Sequence, residues 1–452
     1  MVQDLEAKAR ELDAQTARAK DLPTTKRVLA KQQKTVAENL RRQAAGSIMF
    51  FDKPAVAAPL VPMIADRASG CNLYDLDGNE FIDLHMGYWT QIIGHAPSVV
   101  VEAVKREIER GTTIGVGNTL EIELAEFLIE HIECAEMCCL AISGTSALMH
   151  ALKLARASRG RPKIAKFANA FHGHDADLVV DLPEFRHGLA ATDDTLVLPG
   201  TPEAFDLIRK HADELAGVVI EPAPPVRDPR PSYDLAFYKE LRRVTADLGI
   251  VLIFDEVLRG FRCRFGATLG DQVVPDLACF GKIIGGGLPV AAVVGRRSVM
   301  SAGATSGNAL RDLSGGKVAL VGTYNGNRIA CAAGLAHLKY IKDHQDEIYP
   351  YLREKAHWLG KEINAHASEH KLPIESLVLE GGMVMVKGRP PTSPMHPAVL
   401  LQTYLRDQGC FFSGAPIQIS TAHRPSDLER ISAAFKAAMA NLVADGAAPT
   451  AA

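Results

Sequence analysis

The 452-residue chain has no apolar run near the roughly 18 residues needed to cross a bilayer, which argues against a membrane-spanning helix. Its opening residues, MVQDLEAKARELDAQ, are charged from the first turn and lack an apolar core segment, so the expected location is cytoplasmic. Charge of one sign is also missing: 50 Lys and Arg against 53 Asp and Glu leave a net charge of −3, with no long basic run. No nucleic acid and no membrane is therefore expected as a partner, and small molecules are. The chain has eight cysteines, and their one cluster, Cys134, Cys138 and Cys139, lacks the paired C-x-x-C spacing of a zinc site. Reduced thiols and no metal are the expectation. The glycines form neither G-x-x-x-x-G-K-[ST] nor a strand-borne G-x-G-x-x-G, which removes P-loop and dinucleotide-binding readings.

With 47% hydrophobic and 23% charged residues, a chain of this length can bury a large core and form more than one domain. Residues 1–85 read as an N-terminal arm of two polar helices broken at Leu22-Pro23, then a hairpin around Tyr74–Ile82, packing on the small domain or a partner subunit. Residues 86–326 alternate apolar runs with amphipathic helices, the pattern of a large α/β domain with a mostly parallel sheet covered on both faces. Strands are expected at Lys163–Phe167, Gly217–Ile220, Ile250–Phe254 and Leu277–Phe280, and helices at Ser146–Ser158 and Asp234–Leu248. Residues 327–452 read as a smaller α+β C-terminal domain whose last helix opens on the capping box Ser426-x-x-Glu429.

Two of these strands end in groups that carry chemistry. The run 250–254 delivers Asp255-Glu256 at its carboxyl end, where buried carboxylates must be paired or used. The bland alternative is a structural salt bridge to Arg259 or Arg262. The strand Leu277–Phe280 ends in Gly281-Lys282, followed by Gly285-Gly286-Gly287, which is where a Schiff-base lysine can sit. Ser143-Gly144-Thr145-Ser146 precedes a helix and fits either a phosphate site or a plain N-cap.

The stretches Asp255–Arg262, Pro275-Asp276 and Gly281–Pro289 together resemble the class III pyridoxal-5′-phosphate (PLP) aminotransferases, most closely the glutamate-1-semialdehyde aminomutase branch, over residues 66–430. The resemblance implies fold type I, Lys282 as the cofactor lysine and Asp255 as the partner of the pyridine nitrogen. It further implies Ser143, Gly144 and Thr145 at the phosphate, Phe171 and His172 of an aromatic-His-Gly segment at the ring, and Glu221 and Val257 beside them. Thr323, in Gly322-Thr323-Tyr324-Asn325-Gly326-Asn327, would reach the phosphate of a neighbouring subunit, which implies a homodimer with shared active sites. Ile142 and Ser146 depart from the family's phosphate motif. His174 is read as structural.

For the substrate, the same resemblance points to Lys53 as a carboxylate anchor and to Tyr88 and Trp89 as an aromatic wall. The segment between Val180 and Leu196 is shorter than the aminomutase's gating loop. The expected activity is therefore transfer of an amino group from a primary amine, such as a β-amino acid or a biosynthetic intermediate, to a keto-acid acceptor. An aminomutase or amino-acid epimerase is the alternative. A non-catalytic interaction protein is a third reading, against which the retention of Lys282, Asp255 and Thr323 stands.

Overall fold

The computed structural model describes residues 2–45, 63–186, 188, 193–222, 233–387, 395–414 and 416–447. The chain divides into two compact units, one of residues 98–345 and one made of residues 1–97 with 346–452.

The larger unit is built on seven strands: β1 (Met137–Ala141), β2 (Lys163–Phe167), β3 (Thr195–Leu198), β4 (Leu215–Ile220), β5 (Val251–Asp255), β6 (Leu277–Phe280) and β7 (Ala291–Gly295). Their order across the sheet is β1-β7-β6-β5-β4-β2-β3. All neighbours pair in parallel except β7, which is antiparallel to both β1 and β6. β4, β5 and β6 are buried along their whole length, as expected of strands covered on both faces. Helix Gly144–Arg159 lays Leu148, Ala151, Leu152 and Ala155 against Ala216, Val219, Ile253 and Cys279 of these strands. Asp234 caps helix Leu235–Asp247 by accepting from the Phe237 amide at 2.8 Å.

Helix Arg328–Asp343 lies in this unit rather than opening the small domain, because it packs on helices Ser98–Ile108 and Thr119–His131. The second unit likewise extends past residue 85: Gly70 and His95 exchange backbone hydrogen bonds of 3.0 and 2.7 Å.

The second unit joins the two chain ends. Its antiparallel strands Ala65–Ser69, Asn72–Asp75 and Glu80–Asp83 are extended by Cys410–Phe411, parallel to the last of them. A second sheet holds Glu375–Leu379, Met383–Lys387 and Ile417–Gln418. The arm forms three helices instead of two, Val2–Asp21, Pro23–Lys31 and Gln33–Ala44. The additional break falls at Gln32, whose buried side chain turns inward to donate to Asp75 at 2.8 Å. Arg27 and Lys31 pair with Asp407 at 3.1 and 2.9 Å, and the Thr24 amide donates to Asp445 at 3.0 Å. The final helix, Pro425–Ala444, starts one position before the expected capping box, since Pro425 suits the first turn and Asp427 accepts from the Arg424 amide at 3.1 Å. No helix among the described residues is long and apolar enough to cross a membrane.

Candidate active site

Three adjacent parallel strands of the larger unit each deliver an ionisable side chain at the carboxyl edge: Glu221 after β4, Asp255 ending β5 and Lys282 just after β6. In open α/β sheets this edge is where ligands bind.

Asp255 is buried and held from two sides. One oxygen accepts from the Val257 amide at 3.0 Å, and the other lies 2.8 Å from Nδ1 of the buried His172. With Asp255 as acceptor, the proton of His172 sits on Nδ1, and Nε2 is buried without a partner among the described residues. The contacts seen for Arg259, Arg262 and Glu256 are to other partners than the salt bridge considered for Asp255-Glu256. Arg259 pairs with Glu221 instead, Nε to Oε1 at 3.4 Å, and Glu256 accepts from the backbone and hydroxyl of Thr268. Arg262, fully buried, donates its Nε to the Leu258 carbonyl at 2.9 Å.

Lys282 opens the short turn Lys282–Gly285 with a φ of 48°, a left-handed conformation that costs a residue with a Cβ of order 1–3 kcal/mol. The side chain is half-buried. Burial lowers its affinity for a proton and Arg262 adds to that, while Asp255 and Glu221 oppose it. A lysine tuned in this way is nucleophilic at lower pH than a surface lysine. Glu221 is pushed up to about 8 by burial, with Asp255 adding to the rise and Arg259 resisting it. The 3.4 Å ion pair is long for a charge-assisted bond.

Val257 packs the site together. A Cβ added to Gly144 would stand 2.7 and 2.9 Å from its two methyl groups, and one added to Gly281 would stand 3.3 Å from the first. The N-terminus of helix Gly144–Arg159 therefore abuts the loop carrying Asp255 and the glycine before Lys282. Ser143 caps that helix, accepting from the Ser146 amide at 3.2 Å, while Ser146 Oγ accepts from the Ser143 amide at 3.0 Å. Ser146, a departure from the family motif, thus completes a reciprocal cap. As the first residues of the helix, Gly144 and Thr145 have amides without intrahelical acceptors, a suitable seat for an anion. Thr145 Oγ1 accepts from the His174 amide at 3.3 Å, which draws the segment holding Phe171 and His172 to this helix end.

Phe171 is 37% exposed and its ring lies 5.1 Å from Phe185 and 5.3 Å from His174. Thr323 is exposed in the turn before helix Arg328–Asp343. Tyr88 and Trp89 belong to the other unit, where four consecutive residues from Met86 have φ between 49° and 65°. There His85 lies 4.0 Å from Tyr88 and 5.4 Å from Trp89, and the Trp89 indole donates to the Pro416 carbonyl at 2.8 Å. Lys53 lies outside the described residues. Two pairings went unforeseen, His172 with Asp255, 83 positions apart in the chain, and Glu221 with Arg259, and no spacing signals either. No metal-binding cluster of His, Cys, Asp and Glu occurs among the described residues.

The residues 54–187 and 189–394 match the family model "Aminotransferase class-III". The chain is 40% identical over 311 residues to a glutamate-1-semialdehyde 2,1-aminomutase of Syntrophus aciditrophicus, covering 64% of this chain and 67% of that protein. It is 32% identical over 435 residues to a glutamate-1-semialdehyde 2,1-aminomutase 2 of Staphylococcus haemolyticus, covering 90% and 97%. Among solved structures it is similar to an omega-transaminase from Sphaerobacter thermophilus, with a TM-score of 0.78 and 30% identity over 89% of this chain and 96% of that one. It is also similar to a transaminase with PLP bound, at 0.79 and 27% identity over 92% and 99%. The chain belongs to the class III aminotransferases, PLP-dependent enzymes with a large, mostly parallel α/β sheet domain and a smaller domain.

Proposed function

We propose that this enzyme moves an amino group from a primary amine to a keto-acid acceptor, with Lys282 carrying PLP and Asp255 facing its ring nitrogen. The observation that carries the assignment is the convergence of Asp255, fixed by His172 and Val257, with Lys282 on neighbouring strand ends. The residues present fit the cofactor: a tethering lysine, a buried carboxylate that accepts from His172 and Val257, and a pair of helix-start amides without intrahelical acceptors.

When bound, the pyridoxal ring supplies an electron sink for charge developing at the amine-bearing carbon. Asp255 holds a proton at the ring nitrogen, and the hydrogen bond from His172 Nδ1 keeps its carboxylate oriented for that task. Gly144 and Thr145 bind the phosphate through their amides. Phe171 would stand beside the ring, and Glu221 lies at the same strand edge. Lys282 Nζ would hold the cofactor and, when not bonded to it, would move the proton at the reacting carbon, a task suited to an amine whose basicity burial has lowered.

Two further parts of this reading concern partners and reaction type. Ile114, Val116, Val321 and Tyr324, on loops tied by the Asn118–Gly326 and Asn327–Thr112 hydrogen bonds of 3.0 and 2.8 Å, and Ile122, on helix Thr119–His131, are exposed apolar residues. A second copy of the chain covers such a patch, which supports a homodimer in which Thr323 reaches the partner's phosphate. Transfer between molecules is favoured over isomerisation by the segment after Val180. Asp181 there is bound to Lys166 and the Asn169 amide, and Arg186 donates to the Val180 carbonyl at 3.0 Å, which ties the start of the segment down.

The names of the curated relatives favour the aminomutase alternative. Absorbance of the purified enzyme decides. A donor amine is expected to convert the bound cofactor to its amine form, and a keto acid to reverse it. Isomerised amine formed with no keto acid present would replace transfer by the mutase reading. If Lys282→Ala retains the wild-type cofactor band, the lysine assignment is wrong.

A further inference from the structure

His172 reaches Asp255 from a loop, so the 2.8 Å contact between them is only as well defined as that loop is. The chain leaves β2 at Phe167, passes Asn169, Phe171 and His172, touches helix Gly144–Arg159, and returns to β2 at Asp181. The far side of the loop is anchored on the helix. There the His174 amide donates to Thr145 at 3.3 Å, Arg156 pairs with Asp177 at 2.7 Å, and Leu178 is buried in the same core as Leu152 and Ala155. The near side is closed by Asp181. One of its oxygens accepts from the Asn169 amide and the other from Nζ of Lys166, a fully buried lysine within β2. Asp181 and Asn169 are twelve positions apart, so their bond forms the neck of a compact loop with His172 just inside it. Asn169 has a φ of 57°, a left-handed turn from which the chain continues to Phe171 and His172. A carboxylate accepting from its amide is a stronger restraint on that turn than the neighbouring bond from the Ala170 amide to the Phe167 carbonyl, which is 3.3 Å long.

We propose that Asp181 is a positioning residue for the cofactor site: by closing the neck of this loop it sets where the His172 imidazole stands against Asp255. Lys166 holds the Asp181 carboxylate from the strand side, and the carboxylate in turn holds the Asn169 turn. His172 then sits between two fixed points, Asn169 before it and Thr145 after it, and its Nδ1 proton meets the Asp255 carboxylate in one orientation. Asp181 acts through the backbone of the loop and takes no part in the chemistry itself. This inference rests on the reading of Asp255 as the partner of the ring nitrogen.

The test reads two signals. One is the downfield proton resonance of the His172 imidazole N–H in the cofactor-free chain, assigned by its loss in His172→Phe; the other is the affinity and visible circular dichroism of bound PLP. Asp181→Asn keeps an oxygen for the Asn169 amide, so it is expected to keep both signals while its melting temperature falls for want of the ion pair. Asp181→Ala opens the neck. Its imidazole proton is expected to exchange with water about tenfold faster or more, and PLP to bind about tenfold more weakly, the change that loss of one charge-assisted hydrogen bond brings. If Asp181→Ala fails to fold, Lys166→Met is compared with Lys166→Met combined with Asp181→Ala. Both lack the lysine charge and differ at Asp181, and the double variant is expected to show the same two losses relative to the single. Unchanged proton exchange and PLP affinity on removing the Asp181 side chain overturn the proposal. Equal losses in Asp181→Asn and Asp181→Ala also overturn it, since they reduce the role of Asp181 to the stability of an ion pair. The Asp255 reading fails separately, if Asp255→Asn binds PLP and turns over as wild type, and the imidazole signal of the Asp181 variants does not depend on that result.

Discussion

Replacing Gly144 with alanine sets two effects of known size against each other. Alanine is the better helix former, and at the first residue of helix Gly144–Arg159 it would gain at most about 0.5–1 kcal/mol. The added Cβ would stand 2.7 and 2.9 Å from the Val257 methyls, about 1 Å inside the optimal carbon–carbon separation of about 3.5–4.0 Å. Val257 is held by its amide, which donates to Asp255 at 3.0 Å, and Gly281 lies near enough that a Cβ there would stand 3.3 Å from the same methyl. Overpacking of this kind costs about 1–3 kcal/mol, so the clash wins and net destabilisation of about 1–2 kcal/mol is expected. For a unit the size of residues 98–345, that corresponds to about 2–8 °C in melting temperature. The measurement is thermal unfolding of the cofactor-free chain in a cycle of Gly144→Ala, Val257→Ala and the double substitution. Because the alanine methyl fills the space that Val257→Ala vacates, the double variant should be more stable than the sum of the singles by about 1–2 kcal/mol. Strict additivity, or a Gly144→Ala chain that melts at or above wild type, would refute the reasoning.

Substituting His172 with Phe removes a hydrogen bond to a charged partner, worth about 1.5–3 kcal/mol, so kcat should fall about 10–100-fold while cofactor is retained; an unchanged kcat would remove His172 from the site. His337, buried and donating Nδ1 to the Ile283 carbonyl at 2.8 Å, has its pKa lowered to about 4, chiefly by burial. The unfolded chain therefore takes up a proton between the usual 6.5 and about 4 that the folded chain refuses, and stability falls as pH drops through that window. His337→Asn, which can keep the hydrogen bond but cannot titrate, should flatten denaturation midpoints there by one proton's worth of slope. Val321→Glu with Tyr324→Glu, placing charge on the exposed apolar patch, should yield monomers in sedimentation velocity and release cofactor; a stable dimer would move the interface elsewhere.

The strand ends and the helices between them were legible because their signals are local. An unbroken apolar run closed by Asp255 became β5, and the Leu277–Phe280 boundaries held to the residue, since a strand buried on both faces tolerates only apolar residues and stops where charge begins. Arm and capping details were less legible: the break at Gln32 depends on Asp75, more than forty positions away, and the last helix chose Asp427 over Glu429 as its cap partner. What sequence alone determined is which residues are candidates for the chemistry, because a lysine and a carboxylate at strand ends and a helix N-terminus are set by residue type and neighbours. What only tertiary structure decided is which charges meet. Three strands far apart in the chain had to lie side by side before Asp255 could find His172 and Arg259 could find Glu221, since pairing of buried charge is a matter of distance in space and leaves no period or spacing along the chain.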